Sequence, residues 1–346
     1  MKKLDKSLFY GFGPILSRNA VFNFCVGGRG IGKTYGATKL GIKNYLKDGQ
    51  QFIYLRRYRE ELAAARKTFF AAVAHEFPDV EFRENGNKGE MCRTPDAEKK
   101  DKVWETVCYF VNLSTAQQFK SVNYSKVTLI IFDEFIIEKG NVQYLTNEAR
   151  VMLDFYSTVD RWQDKTRVLF LANAVSIINP YFMEWNIQPS GQEFVTRGKG
   201  FVCVHFPQDG SFGDAVRKTR FGQFIEGTEY AEYSIGNKFR DNGATMLGNK
   251  TPDHRYCFTL ETDGGTFSCW RAWDIVNSTS WHVQAKRPKE EATVTLVPAR
   301  MTPDKVLVSF GDPVLSSLRT AFRQGVVTFD AATTRNAFIH IFNRKG

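Results

Sequence analysis

The sequence has few of the residues that hold extracellular or metal-centred proteins together. It contains six cysteines in 346 residues, none of them in a C-x-x-C pair, and five histidines. Scattered thiols favour a reducing cytosol over a disulfide framework. His254 and Cys257 have a ligand-like spacing. Because no second pair of ligands accompanies them, a zinc site is not expected.

Long apolar runs and an excess of acidic charge are also missing. Nothing resembles a signal peptide or a membrane span, so we expect no membrane partner. Lysine and arginine outnumber aspartate and glutamate by 47 to 37, a formal net charge of +10. This excess suits a polyanionic partner, nucleic acid above all, although dispersed charge on an ordinary basic protein is equally compatible with composition alone.

A glycine-rich stretch is the most informative part of the chain. Its residues are Gly27, Gly28, Arg29, Gly30, Ile31, Gly32, Lys33 and Thr34, which fit the P-loop pattern G-x-x-x-x-G-K-[ST]. Glycines allow the loop to turn its N–H groups around a phosphate, while Lys33 would reach the β- and γ-phosphate oxygens and Thr34 would hold Mg²⁺. A strand pattern over 21–26 and a helix pattern over 35–46 flank the loop, as a nucleotide site requires.

A second apolar run, 127–132, is followed directly by Asp133 and Glu134. This is the Walker B pattern, in which Asp133 would hold Mg²⁺ through its water shell. Glu134 would polarise an attacking water as a general base. An ordinary strand-ending turn is the alternative, but downstream of a P-loop the two carboxylates complete one site.

The strand predicted over 51–56 follows the P-loop helix and therefore predicts a βαβ unit with a parallel sheet. Arg56, Arg57 and Arg59 come after its apolar part, at the edge where such sheets bind ligands. They are expected near the nucleotide or a neighbouring subunit, or equally at a solvated helix start. The pattern predicts one helix over 59–76. It then predicts a surface β-insertion, with short strand-like runs in 80–113 and a polar loop over 84–102 between them.

Two further candidates surround the strand predicted over 167–171. Asn173 follows this strand and could hydrogen-bond the attacking water or the γ-phosphate; the alternative is a turn asparagine. Arg161 ends the helix predicted over 148–161 and could face a neighbouring subunit, where an arginine supplied in trans stabilises charge during phosphoryl transfer. A solvated surface charge is the plain alternative for Arg161.

Composition and pattern together predict an α/β protein with two domains. Residues 1–213 form a P-loop ATPase domain on a parallel sheet, and 214–243 form a short basic linker. Residues 244–346 change to a β-rich pattern, which predicts a smaller α+β domain.

Several blocks of sequence resemble the genome-packaging ATPase of phi29-type bacteriophages. They are the P-loop at 27–34 and the segments 52–58, 131–136, 173–176, 179–182, 217–222 and 227–230. The resemblance implies an ASCE-type P-loop ATPase that uses ATP and Mg²⁺. It also implies a homomeric ring, a pentamer in the family, at the portal vertex of a procapsid in the cytoplasm of the infected host. In phi29 itself the ring docks through a structural packaging RNA.

The same resemblance assigns roles to residues of this chain. It places the nucleotide residues at Gly27 through Thr34, Asp133 and Glu134, and a trans-acting arginine finger at Arg161. A second basic residue thought to act across the interface falls on Arg59, where phi29 has lysine.

The resemblance further implies that the C-terminal domain is a vestigial RNase H-like nuclease. A nuclease of that type needs several carboxylates converging on two metals, one of them within the first strand. The segment 256–260 has none, and Glu261 and Asp263 lie at the predicted hairpin end. We therefore expect docking or nucleic-acid binding without nuclease activity.

The sequence thus predicts an ATP-driven translocase of double-stranded DNA. Lys120 and Lys139 are candidates for contacts with DNA phosphates, although both could be ordinary exposed lysines. The alternatives are a helicase or repair motor, whose discrete motifs are missing, and a P-loop switch or small-molecule kinase. A GTPase would need N-K-x-D, which the chain lacks. A structural ring component with a degenerate site is disfavoured by the intact Lys33, Thr34, Asp133 and Glu134.

Overall fold

The computed structural model divides the chain into two compact units, Met1–Arg240 and Asp241–Gly346. The structure describes residues 9–338 apart from 97, 99, 120–121, 138–143, 146, 176–178, 186, 188–191, 208–209, 236–246, 264, 274–278, 289–291, 310, 324–325, 332 and 336. The division falls inside the predicted linker, 214–243. Three short helices of the first unit occupy most of that segment.

The first unit is a nine-stranded sheet with helices. Its strands are β1 (Phe22–Gly27), β2 (Gln51–Arg56), β3 (Glu81–Asn85), β4 (Lys88–Cys92), β5 (Glu105–Asn112), β6 (Val127–Asp133), β7 (Arg167–Asn173), β8 (Phe194–Arg197) and β9 (Val202–His205). Its helices are α1 (Gly13–Leu16), α2 (Lys33–Asp48), α3 (Arg59–Arg66), α4 (Glu148–Asp160), α5 (Pro180–Glu184), α6 (Ser211–Arg217), α7 (Arg220–Ile225) and α8 (Glu229–Ser234).

The strand order in this sheet is β3-β4-β5-β2-β6-β7-β1-β9-β8. The six central strands run parallel to one another: β5, β2, β6, β7, β1 and β9. Antiparallel strands extend both edges, β4 and β3 beside β5 and β8 beside β9. The P-loop strand β1 and the Walker B strand β6 are separated by β7 alone, the arrangement of ASCE-type ATPases. The predicted parallel-sheet α/β fold is confirmed.

Aromatic side chains fill one side of the central strands. The rings of Phe24 and Phe170 stack with centroids 4.0 Å apart, and the Phe132 centroid lies 5.8 Å from that of Phe170. All three rings are fully buried. Because these residues lie on adjacent strands, their packing fixes the relative position of the strands that carry the nucleotide motifs.

The helix predicted over 59–76 is too long. Helix α3 ends at Arg66, and turns and a 3₁₀ segment at Ala74–Glu76 follow it. The reason is that Phe69 and Phe70, neighbours in sequence, are both buried. Their rings pack against different strands, Phe69 against Tyr54 of β2 and Phe70 against Phe82 of β3, with ring centroids 4.7 and 4.8 Å apart, so tertiary packing overrides helix propensity in this segment.

The predicted polar loop over 84–102 is also wrong in part, because it contains β4. Strands β3 and β4 form an antiparallel hairpin joined by the two residues between Asn85 and Lys88. Gly86 has a positive φ of 59°, which this kind of two-residue turn requires. The burial of Met91 and Cys92 then stabilises the strand against the sheet.

The second unit contains a six-stranded sheet. Its elements are β10 (Arg255–Thr262), β11 (Gly265–Trp273), β12 (Thr279–Gln284), β13 (Thr293–Thr295), β14 (Lys305–Leu307), α9 (Pro313–Arg323) and β15 (Val327–Phe329). An antiparallel meander of β10, β11 and β12 is extended by β13 and β14, both parallel to β10. This order is that of an RNase H-like sheet, with β15 added beside β12.

No helix among the described residues combines the length and the apolar character needed to cross a membrane. Within the same residues, no cluster of three or more acidic, histidine or cysteine side chains could hold a metal ion.

We predict that Phe170→Ala destabilises the ATPase unit by about 3–5 kcal/mol, because it removes a ring from the fully buried aromatic stack. Urea denaturation followed by circular dichroism measures the effect. Val103→Ala is the control, since Val103 is 71% exposed and should change stability by less than about 0.5 kcal/mol. Equal stability of the two variants would contradict the described core.

Candidate active site

The residues of both nucleotide motifs meet at one edge of the sheet. Strands β1, β2, β6 and β7 are parallel, so Gly27, Arg56, Asp133 and Asn173 all lie at carboxyl ends. Gly27 is directly opposite Asn173 in the register of β1 and β7. The site is therefore assembled by strand order, from segments far apart in sequence.

The P-loop backbone has the form that phosphate binding requires. Gly30 and Gly32 both have φ of 80°, a left-handed conformation that favours glycine. A Cβ at Gly32 would lie 2.8 Å from the ring of Phe9. Gly32 caps the N-terminus of α2, whose 16 residues direct their dipole and free amides toward the loop.

Lys33 is buried in this loop. Its Nζ donates to the carbonyl oxygens of Gly27 (3.1 Å) and Gly28 (2.8 Å) and to Oδ1 of Asn173 (3.1 Å). Burial lowers the pKa of Lys33 to about 8, although the nearby Asp133 and Cys25 oppose that shift. The ammonium is thus poised to gain stability from an anion beside it.

Asp133 joins three elements of the sheet edge. Its Oδ1 accepts a hydrogen bond from the Thr34 hydroxyl at 2.9 Å. Its Oδ2 accepts from the Tyr54 hydroxyl at 2.8 Å and from Arg56 at 3.2 Å. Burial and the neighbouring Asp133 raise the pKa of Tyr54, so the phenol stays a neutral donor. A hydroxyl and a carboxylate side by side are hard oxygen ligands of the kind that fit Mg²⁺.

Glu134 differs from Asp133 in exposure and backbone. Its side chain is 65% exposed, and its φ of 57° lies in the left-handed region that non-glycine residues rarely adopt. One carboxylate oxygen, Oε2, accepts a hydrogen bond from Arg56 at 2.5 Å. The buried Arg56 guanidinium therefore contacts both carboxylates of the Walker B pair and offsets their mutual repulsion.

A buried ionic network contacts the backbone at Glu134. Arg57 donates to both carboxylate oxygens of Glu148, at 2.7 and 2.9 Å, and to the backbone carbonyls of Glu134 (3.3 Å) and Phe135 (2.6 Å). The Tyr181 hydroxyl also donates to Glu148, at 2.9 Å. Because Glu148 begins α4, the network fixes the backbone of the Walker B pair to that helix.

The remaining residues that the sequence suggested as functional do not all lie at the edge of the sheet that carries the P-loop. Arg59 is exposed at the first turn of α3, at the same edge as the P-loop. Arg161 is exposed after α4 and precedes β7, so it lies at the opposite edge of the sheet. The seven residues of β7 separate the two edges by about 20 Å. Lys120 and Lys139 lie outside the described residues.

In the second unit, the acidic residue Glu261 near the end of β10 is paired with a lysine. Lys305 donates to Glu261 Oε2 at 2.9 Å, and this contact lowers the pKa of Glu261. Thr259, in the middle of β10, is buried and hydrogen-bonded to neighbouring hydroxyls. A lysine ammonium thus contacts the carboxylate nearest to the position that an RNase H-like nuclease gives to a metal ligand.

Sequence reasoning identified the segment of Arg56 and Arg57 but not their contacts. The signal was their position just after an apolar strand; their partners depend on β2 lying beside β6, which no local pattern shows. The helix-start alternative, with solvated arginines, is wrong for Arg56 and Arg57, which are buried. The role of Glu148 was missed, since an acidic residue at a helix start is ordinary.

Fold and site together define a P-loop ATPase of the ASCE type. A profile of the Podovirus DNA encapsidation protein (Gp16) matches residues 4–346. The DNA packaging protein of Bacillus phage phi29 is 33% identical over 344 residues, 99% of each chain. The chain belongs to the Podovirus DNA encapsidation protein family. The predicted family is therefore confirmed, and with it the predicted class of activity, a viral DNA-packaging ATPase.

Solved structures agree with this assignment. A chain of the bacteriophage phi29 genome packaging motor assembly has a TM-score of 0.64 and 32% identity, covering 97% of this chain and all of the other. The N-terminal domain of the phi29 DNA packaging ATPase has a TM-score of 0.52 and 36% identity, covering 59% of this chain and 99% of that domain. Both are similar to this chain over the unit that contains the site.

We predict that binding of Mg-ATP at about pH 9 takes up protons, whereas binding at about pH 7 does not. Lys33, with a pKa of about 8, is largely neutral at the higher pH and must be protonated to hold phosphate. Calorimetry in buffers of different ionisation enthalpy measures the uptake. Lys33→Arg is the matched control, because arginine stays charged at both pH values. The same uptake in both proteins would contradict the assignment.

We predict that Arg57→Met destabilises the protein by about 3–5 kcal/mol, because it leaves the fully buried Glu148 carboxylate without its countercharge. Adding Glu148→Gln to that variant should restore part of the loss, since no buried charge then remains unpaired. Urea denaturation of the wild type and both variants measures this. The prediction fails if the double variant is no more stable than Arg57→Met.

Proposed function

We propose that this protein translocates double-stranded viral DNA into a procapsid by hydrolysing Mg-ATP at the subunit interfaces of a homomeric ring. The observation that carries the proposal is the separation of Arg161 from the other site residues. Arg161 lies at the edge of the sheet opposite its own P-loop, so a role for it in hydrolysis requires the site of another copy. A ring of identical subunits gives every site such an arginine.

Within one subunit, the residues of the P-loop bind the phosphates of ATP. The amides of Gly27 through Thr34 and the Lys33 ammonium contact the phosphate oxygens. Thr34 and Asp133 hold Mg²⁺, which on binding neutralises charge on the β- and γ-phosphates. The hydrogen bond between Thr34 and Asp133 supports this role, because it already brings the two ligands together.

Glu134 is the proposed general base. Its exposed carboxylate accepts a proton from a water molecule as that water attacks the γ-phosphorus and the bond to the β-phosphate oxygen breaks. Arg56 and the Arg57 network position Glu134 from the side chain and from the backbone, respectively. Asn173 would sense the γ-phosphate, and the hydrogen bond that its Oδ1 accepts from Lys33 at 3.1 Å supports this role.

The neighbouring subunit contributes positive charge. Arg161 of that neighbour stabilises the charge that develops on the transferring phosphoryl group. Arg59 is exposed at the P-loop edge and is a second candidate for action across the interface. Arginine in place of the lysine of phi29 keeps the charge but changes the geometry of its hydrogen bonds.

The net charge of +10 suits DNA in the channel of the ring. Contacts with phosphates would be independent of base sequence and would weaken with salt. Lys120 and Lys139 stay predictions for these contacts. We further propose a pentamer on the portal of a procapsid in the cytoplasm of the infected host, with a structural packaging RNA as a possible partner. The second unit would then serve docking or nucleic-acid binding without nuclease activity.

We predict that double-stranded DNA stimulates ATP hydrolysis by the wild type, and that Glu134→Gln and Arg161→Ala each lower the stimulated rate at least 100-fold, the scale of a lost charge stabiliser or base. Mixing the two variants should restore activity, because an intact Arg161 then meets an intact Glu134 across an interface. Steady-state phosphate release measures all four samples. Rates indifferent to DNA and to mixing would instead favour a self-contained P-loop enzyme.

A further inference from the structure

The turn after α4 presents a large apolar side chain to solvent. Trp162 is 92% exposed, although tryptophan is normally among the well-buried residues. Arg161 and Trp162 both have left-handed backbones, with φ of 51° and 61°. Such a conformation is uncommon for tryptophan and persists only when the surrounding structure holds it in place.

Asp160 supplies the contacts that hold this turn. Its buried carboxylate accepts hydrogen bonds from the backbone N–H groups of Asp164 (2.9 Å), Lys165 (3.0 Å) and Thr166 (2.9 Å). Burial alone would raise the pKa of Asp160, but these three donors lower it overall. These hydrogen bonds hold the turn in one conformation, in which the side chains of Arg161 and Trp162 are both exposed.

A second exposed aromatic surface flanks the P-loop. Helix α8 reaches the loop directly, because the backbone N–H of Arg29 donates to the carbonyl oxygen of Ser234 at 3.1 Å. Helix α6 reaches it through Phe212, whose ring lies 6.1 Å from that of Phe9. The P-loop is thus bordered by the helices on either side of α7.

Helix α7 carries most of this surface, which we call the aromatic patch: Phe221, Phe224 and Tyr230. Phe224 is 82% exposed and Phe221 59% exposed. The Tyr230 ring at the start of α8 is 6.2 Å from that of Phe221, in an edge-to-face arrangement. Gly222 and Ile225 bury the other face of α7. The exposed rings are therefore not needed to hold α7 on its own unit.

We propose that Trp162 of one subunit packs against the aromatic patch of the next subunit. This inference rests on the proposed ring in which Arg161 acts in trans. An arginine that enters the neighbour's site carries the adjacent tryptophan with it, since consecutive Cα atoms are only about 3.8 Å apart. The patch lies on α7 and α8, and α8 borders that site. Trp162 then serves as the aromatic anchor of the interface, and the contact sets the position of Arg161.

The contact would couple assembly to hydrolysis. A subunit alone exposes both aromatic surfaces and has no arginine at its site, whereas an assembled pair buries the rings and completes the site together. Because α8 hydrogen-bonds to the P-loop backbone at Arg29, the patch also lies near the loop that we propose to bind the phosphates of ATP.

Cross-linking of mixed single-cysteine variants tests the contact. Trp162→Cys and Phe224→Cys are prepared separately with Cys257→Ser, because Cys257 is exposed and the other five cysteines are buried. The mixture is treated with a short bis-maleimide in the presence of DNA and Mg-ATPγS. We expect a cross-linked dimer from the mixture and none from either variant alone. Val103→Cys mixed with Phe224→Cys is the matched control, since Val103 is equally accessible on another part of the unit.

A second measurement does not depend on the cysteine replacements. Trp162→Ala should raise the protein concentration that gives half-maximal DNA-stimulated hydrolysis by about tenfold or more, as for an interface anchor. Trp162→Phe should retain most of the wild-type behaviour. Arg161→Ala should instead lower the maximal rate without that shift in concentration.

The outcomes separate this inference from the proposed function. If mixing of Glu134→Gln with Arg161→Ala restores activity, but the cysteine mixture gives no cross-link and Trp162→Ala assembles at the wild-type concentration, the contact is overturned and the ring motor stands. If the wild type does not assemble, and mixing Glu134→Gln with Arg161→Ala restores no activity, both are overturned. Cross-linking together with the concentration shift supports the contact.

Discussion

The hydrogen bonds of the Asp133 carboxylate are the interaction on which the rest of the site depends. The carboxylate is buried, yet it accepts hydrogen bonds from Thr34 at the start of α2 and from Tyr54 and Arg56 at the end of β2. A buried carboxylate is stable only when its oxygens are satisfied, so these donors and the strand order that supplies them are required together. The three neutral or positive donors make the P-loop, β2 and β6 into one unit.

The strand order explains why Arg161 lies apart from the nucleotide motifs of its own chain. Parallel strands place every carboxyl end at one edge, so the P-loop, Asp133 and Glu134 meet there. Helix α4 returns the chain to the opposite edge before β7 begins, and Arg161 is therefore carried away from its own site. Glu148 and Asp160, at the two ends of α4, are each fixed by several hydrogen bonds. The helix thus links the backbone of the Walker B pair to the turn that carries Arg161.

Arg56, the last residue of β2, and Arg57, which follows it, show that position in the fold decides what an arginine contacts. Arg56 neutralises the Walker B pair from the side-chain direction, and Arg57 holds the backbone of the same pair through Glu134 and Phe135. Neither is a solvated surface charge. The exposed Trp162 and the aromatic patch are the complementary case, since their rings lie outside their own core and form the surfaces for which we propose a contact between two copies.

The features that depend on contiguous residues could be predicted before the fold was known. The P-loop, the Asp133–Glu134 pair and the strands around them are local patterns of period and residue type, and the structure places them at one edge. Helix α3 and strand β4 were misjudged because burial of Phe69 and Phe70 and the turn at Gly86 overrode local composition. Tertiary structure alone decided the partners of Arg56, Arg57 and Glu148, the opposite position of Arg161 and the exposure of Trp162. These depend on strand order, which no local periodicity encodes and which brings together residues as far apart in sequence as Lys33 and Asn173, 140 positions.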